Sequence, residues 1–219
     1  MDFENARTTM VDCQIRPNDV TDHRVLDAFM SIPREAFVSP AQRPLAYIDE
    51  DLPLSSGGSK RYLMEAMSMS KLVQLANIEE DNIILDIGCG TGYSTAVLSK
   101  LGNSVVALES DEALAGQATE TLIELGCDNT VVVTGALEEG LSKEGPYDVI
   151  FFGGAVEVLP DVLLEQLKDG GRLVVVEGTG NAGVAKLYTR EGDVMSSTEA
   201  FNCSVMMLPG FEREMGFTF

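Results

Sequence analysis

Residues 85 to 94 read LDIGCGTGYS, and the fold turns on what this stretch does. The apolar run Ile83-Ile84-Leu85 leads into it and a helical pattern follows. Glycines 88, 90 and 92 allow a tight turn and close approach of the backbone to a ligand. The helix that opens after them begins with amides that have no partner inside the helix. A second apolar run, Val105 to Leu108, ends at Glu109, 21 positions beyond Gly88, where a carboxylate can accept both hydroxyls of a ribose. Strand, glycine loop, helix, strand and acid thus arrive in the order of a nucleotide-binding βαβ unit. The dinucleotide fingerprint needs its third glycine five positions after the first. Position 93 is Tyr and the third glycine falls at 92, which disfavours NAD.

Outward from the loop, Val131 to Val133, Val149 to Phe152 and Leu173 to Val176 are further short, β-branched, apolar runs. Apolar at every position, they read as strands buried on both faces of a parallel sheet. Between them lie helical patterns. One has its N-cap at Ser110, Asp111 and Glu112 in the first turn, a stripe at Leu114, Ala118, Leu122 and Leu125, and Gly126 as its stop. Another starts near Pro160, carries Leu163, Leu164 and Leu167, and stops at Gly170. The expected fold is α/β, a doubly wound and mostly parallel sheet with its ligand at the carboxyl ends of the strands. Ala185 to Thr189 and Cys203 to Leu208 read as strands with no helix between them, so the sheet is expected to finish antiparallel.

The first eighty residues differ. Helical patterns cover Ala6 to Ile15 and Asp22 to Met30, and Met69, Leu72, Val73 and Ala76 recur at i, i+3, i+4, i+7 as an amphipathic helix requires. The expectation is a single domain over 1–219, with an N-terminal helical cap, 1–80, on a cofactor-binding sheet, 81–219.

Composition narrows the function. With 15 Lys and Arg against 35 Asp and Glu, the net charge is −20. That field repels phosphate backbones, so nucleic acid is excluded as a partner. The start, MDFENARTTM, is acidic and has no apolar run, so no secretory signal is expected, and no apolar stretch is long enough to suggest a membrane span. Cys13, Cys89, Cys127 and Cys203 lack C-x-x-C spacing, which fits reduced thiols in a cytoplasm. His23 is the only histidine, and no metal site is expected.

The segment Asp86-Ile87-Gly88-Cys89-Gly90-Thr91-Gly92 resembles the acidic-x-G-x-G-x-G motif of class I S-adenosylmethionine methyltransferases. KDGGRLVVV, 168–176, resembles the turn into a later strand of the same enzymes. MVDCQIRPNDVTDHRVLDAFMSIPREAFV, AYIDEDLPL, PYDVIFFGGAVEVLP and LLEQLKDGGRLV together resemble the protein-L-isoaspartate O-methyltransferase family. The resemblance implies S-adenosylmethionine as cofactor, a cytoplasmic enzyme, and methylation of the side-chain carboxylate of isoaspartyl sites in damaged proteins, the first step of their repair. Cofactor contacts are expected at Asp86, Gly88, Cys89, Gly90, Gly92, Tyr93, Glu109 and Gly135, with Asp86 at the methionine end. A carboxylate is anionic at neutral pH and attacks a sulfonium methyl without a general base, so no Ser-His-Asp set is needed and no catalytic residue is assigned.

Two positions depart from the family pattern. Counting back from Gly88 puts Met64 where members carry the serine of a G-x-T-I-S-x-P segment, and a thioether donates no hydrogen bond. Gly135 is followed by Ala136 and Leu137, where members read G-D-G and the Asp helps hold adenine. Lys60, Arg61 and Tyr62 then border the acceptor's place, with Arg61 able to pair with a carboxylate. A different acceptor, or a cofactor-binding protein without turnover, remains open on these residues.

Overall fold

The computed structural model describes residues 1–54 and 60–213. Gly57, Gly58 and Ser59, which the sequence places beside the acceptor segment, lie outside the described residues.

The chain begins with α1 (Phe3–Met10), capped by the Asp2 carboxylate, which accepts the Asn5 N–H at 3.0 Å. It continues through a π-helical turn, Val11–Ile15, to α2 (His23–Ser31), whose cap is Asp22. A short antiparallel pair, β1 (Leu52–Pro53) and β2 (Tyr62–Leu63), precedes α3 (Ala66–Ala76). The amphipathic reading of α3 holds: Met69, Leu72, Val73 and Ala76 are all buried. A fully buried Leu or Val contributes about 1.5–3 kcal/mol, so this stripe anchors the helix to the sheet.

Then follow β3 (Ile83–Ile87), α4 (Tyr93–Leu98), β4 (Ser104–Glu109), α5 (Glu112–Glu124), β5 (Thr130–Thr134), β6 (Tyr147–Val156), α6 (Asp161–Leu164), β7 (Leu167–Glu177), β8 (Val184–Glu191) and β9 (Val194–Asn202). The sheet order is β5-β4-β3-β6-β7-β8-β9. The strands from β5 to β7 are parallel, and β8 and β9 are antiparallel. The chain passes from β3 to β4 and β5 on one side and then crosses from β5 to β6 on the other side of β3, so the switch point lies at the carboxyl end of β3.

Side-chain alternation splits the strands between two cores. Ile84, Val105, Phe151 and Val174 face the cap, α3 and α4, while Leu85, Val106, Phe152 and Val175 face α6, Leu137 and the C-terminal Leu208 and Phe211. Cap and sheet therefore bury one continuous apolar cluster.

Four local expectations change. The helix after β4 is capped by Asp111, not Ser110: its carboxylate accepts the Ala113 and Leu114 N–H groups at 2.9 and 3.2 Å. Leu167 belongs to β7, because α6 stops after Leu164 and Leu167 pairs with Tyr147. Val131 is 51% exposed, since β5 is a sheet edge and is not buried on both faces. The last strand is Val194–Asn202, reached through a Gly192-Asp193 turn with Gly192 at φ +60. Its polar residues hid it because it is an edge with most side chains exposed. Cys203 to Leu208 instead crosses the end of β6, where Ala155 exchanges bonds with Met206 O and Leu208 N, both at 2.9 Å.

Candidate active site

The glycine loop needs its glycines. Gly88, Gly90 and Gly92 have φ of +77, +58 and +95, a region costly for any residue with a Cβ. Side chains pack closely on the loop. A Cβ at Gly88 would stand 2.6 Å from Leu208 and 3.1 Å from Arg61, and one at Gly90 would stand 2.6 Å from Leu54. The loop also leans on β6, where a Cβ at Gly153 would meet the Gly88 carbonyl oxygen at 2.4 Å. FFGG in β6 is thus a requirement of the neighbouring loop.

The amides of Tyr93, Ser94 and Thr95 at the start of the helix have no backbone partner, as expected, whereas the amides of Gly88, Cys89, Gly90 and Gly92 in the loop itself are taken. Gly88 and Cys89 N–H groups donate to Leu108 O, Gly92 to Cys89 O, and Gly90 to the Glu109 carboxylate. The helix behind them, α4, has only six residues. What the loop offers is shape, and the charge comes from two acids beside it.

Asp86, in β3, is fully buried. Its Oδ2 accepts the Ser94 and Thr95 hydroxyls, both at 2.7 Å, and its Oδ1 has no partner. Burial pushes its pKa up to about 6, against the pull of those two hydroxyls. A buried carboxylate with one bare oxygen is a site prepared for a cation. Glu109, at the end of β4, is fully buried too. Its Oε1 accepts the Ser110 and Asp111 N–H groups at 2.9 and 3.1 Å. Its Oε2 takes Gly90 N–H and Arg61 Nη2, both at 2.7 Å. Arg61 Nη2 also donates to Gly88 O at 2.8 Å. The sequence set Arg61 beside the acceptor's place, able to pair with a carboxylate; the structure pairs it with this buried one, its side chain 2% exposed.

The chain matches the family described as Protein-L-isoaspartate(D-aspartate) O-methyltransferase over residues 5–214. It is 37% identical to a protein-L-isoaspartate O-methyltransferase of Roseiflexus castenholzii over 95% of this chain and 93% of the relative. A second, from Koribacter versatilis, is 33% identical over 95% and 92%. The chain belongs to the protein-L-isoaspartate O-methyltransferase family. A solved protein-L-isoaspartate O-methyltransferase superposes with a TM-score of 0.81 at 26% identity, covering 93% of this chain and 66% of the solved one, just under two thirds of its length. The chain is an S-adenosylmethionine-dependent methyltransferase with the fold of that family.

Family segments that carried no assigned role turn out to build the methyltransferase site from behind. Arg34, of PREAF, is fully buried and donates to Ala46 O at 2.7 Å and to Met64 O at 2.8 Å. Asp51, of AYIDED, accepts the Glu65 N–H at 2.8 Å. Together they fix the backbone on both sides of the Met64–Glu65 peptide. Phe37 O receives the Thr91 hydroxyl at 2.6 Å, tying the glycine loop to the same cap. These residues were legible as family motifs, but nothing in their spacing announced the contacts.

Met64 is buried and lines a cavity of about 20 Å³ together with Tyr62, Gly88, Cys89, Ser94 and Gly153. Arg61, Tyr62, Met64 and Gly153 also border a neighbouring cavity of about 10 Å³. Lys60, expected beside them, is exposed. Tyr93 is misplaced as a cofactor contact through its side chain. The ring is fully buried on the cap side, 5.4 Å from Phe37 and 6.2 Å from Phe29, with the Arg34 guanidinium 4.8 Å from its centroid. Gly135 follows β5 and donates to Glu109 O at 3.0 Å, which sets it beside the acid at the end of β4. Cys89 is buried, and burial raises its pKa well above the usual thiol value. It is a filler of the loop, not a thiolate.

Proposed function

We propose that the chain methylates the side-chain carboxylate of L-isoaspartyl residues in damaged proteins, holding S-adenosylmethionine on Asp86, the loop Gly88, Cys89, Gly90 and Gly92, Glu109 and Gly135. The observation that carries this reading is the bare Oδ1 of Asp86 at the foot of the loop. The α-ammonium at the cofactor's methionine end supplies the cation it lacks. When bound, the cofactor presents an electrophilic sulfonium methyl. The chain's own part is to orient an acceptor that is already an anion and to keep water out. Tyr62, Met64 and Gly153 line the cavity beside the loop, and Arg34 holds Met64 there through its carbonyl. Met64 contributes an apolar wall where family members place a hydroxyl, so acceptor orientation falls to its polar neighbours. With Gly135-Ala136-Leu137 after β5, adenine is held by backbone and apolar contact.

The partner is a protein or peptide bearing isoaspartyl sites, met in the cytoplasm. Charge supports the exclusion of nucleic acid, and the core shared by cap and sheet supports one methyltransferase domain. Labelled cofactor incubated with an isoaspartyl peptide and with its normal aspartyl twin tests the reading. Methyl ester on the isoaspartyl peptide alone is expected. Ester on neither peptide, with the cofactor bound, rejects this acceptor.

A further inference from the structure

Glu109 presents a conflict. To take two ribose hydroxyls, its carboxylate must have acceptor capacity facing the cleft, yet three backbone amides and Arg61 Nη2 already converge on it. The three amides belong to the loop and to the turn after β4, so they are fixed by the fold. Among the described residues Arg61 is the only side-chain cation on the carboxylate, and it is the only one of these four donors that a change of rotamer removes. Its second bond, to Gly88 O at 2.8 Å, lies across the same cradle. Its Nε is buried without a partner, so the guanidinium is not fully satisfied where it sits.

The alternative place for that guanidinium is adjacent. Arg61 borders the cavity lined by Asp51, Tyr62, Met64, Gly153 and Met206, and it is the only basic residue among the described lining. The acid on that wall, Asp51, is half-buried and engaged by the Glu65 N–H. An anionic acceptor entering a molecule of net charge −20, next to buried Asp86 and Glu109, needs a local countercharge. A guanidinium matches a carboxylate in bidentate geometry, which a thioether at Met64 cannot replace.

We propose that Arg61 couples the two substrates: it occupies the ribose subsite on Glu109 in the free protein, is displaced by the cofactor's hydroxyls, and then holds the acceptor carboxylate at the mouth of the adjoining cavity. This rests on the function proposed above for its acceptor half only. No bond of the transfer reaction changes, since the exchange is one of hydrogen bonds and ion pairs.

The two halves predict effects of opposite sign, which a structural role does not. In Arg61→Gln, calorimetric titration with S-adenosylhomocysteine is expected to give binding about tenfold or more tighter than wild type, because the competitor is gone. At saturating cofactor the KM for an isoaspartyl peptide is expected to rise about tenfold or more, with a smaller change in kcat. Those magnitudes correspond to the loss of one charge-assisted contact. Unchanged or weaker S-adenosylhomocysteine binding overturns the displacement, and an unchanged peptide KM overturns the acceptor role. If Arg61→Gln does not fold, the wild-type protein labelled with ¹⁵N-arginine decides, with Arg61→Lys used for assignment. The Arg61 guanidinium signal is expected to exchange slowly in the free protein and to shift and exchange faster when S-adenosylhomocysteine saturates. A signal that does not respond overturns the displacement. Failure of the functional reading looks different: the wild type binds S-adenosylhomocysteine but forms no ester on the peptide, which removes the acceptor half, while the calorimetry still judges the displacement.

Discussion

Two carboxylates end neighbouring parallel strands, and they differ in almost everything but burial. Asp86 in β3 and Glu109 in β4 are both fully removed from water. Asp86 has two hydroxyl donors on one oxygen and nothing on the other. Glu109 has amides on both oxygens and a guanidinium besides. The first is destabilised as an anion, which is why its pKa climbs to about 6. The second is an anion the fold has already paired. Identical burial therefore leaves one carboxylate oxygen without a partner at one strand end and a fully paired carboxylate at the next, and the difference lies in the partners, not in depth.

The comparison breaks most sharply if the Glu109 charge is removed. Glu109→Gln leaves Arg61 as a buried cation without its counterion, and loss of one partner of such a pair costs about 3–5 kcal/mol. Urea unfolding of the free protein is expected to show a loss of that size, and a loss under about 1 kcal/mol would mean the pair is wet.

Asp86→Asn should act the other way on stability. Raising the pKa from 3.8 to about 6, at about 1.4 kcal/mol per pH unit, amounts to about 3 kcal/mol against the ionised folded state. Because the folded pKa lies above the unfolded one, the favourable contribution is present at low pH and lost as pH rises through about 6. The variant is therefore expected to match or exceed wild-type stability at pH 8, by up to about 3 kcal/mol, while binding S-adenosylhomocysteine about 10- to 100-fold more weakly. A variant that is both less stable at pH 8 and unchanged in binding would refute the prepared cation site.

The same group sets a pH dependence. A proton competes with the ligand's ammonium for Asp86 as pH falls below about 6, so S-adenosylhomocysteine affinity should weaken by about tenfold from pH 7 to pH 5. Titrations across that range should show the drop in wild type and a flat profile in Asp86→Asn. The smallest effect concerns the frame. Thr91→Val removes the hydroxyl that ties the loop to Phe37 O, which should cost about 1 kcal/mol in thermal unfolding and leave the contrast between the two acids intact.

Much of this was readable in advance because local chemistry sets it. All five apolar runs became strands, since short β-branched segments apolar at each position bury most readily in a parallel sheet. Asp86 and Glu109 sit where the strand-loop-helix-strand order puts them. The edges were less legible. Val131 looked buried and the last strand was expected at Cys203 to Leu208 in place of Val194–Asn202, because an edge strand owes its exposure to which neighbour is missing, and sequence does not carry that. Tyr93 sat in a binding motif but turned its ring to Phe37 and Phe29, because the first turn of α4 faces the cap.

By itself the sequence determined the five parallel strands, the glycine turn, both acids and the family, all of which depend on residue type and on spacing over short distances. Only the tertiary structure decided that Arg61 closes on Glu109 across 48 residues and that Arg34 reaches Met64 across 30. Those pairings depend on which segments the folded sheet and cap bring within about 3 Å of each other, and long flexible side chains acquire their partners only when burial leaves them no water to use instead.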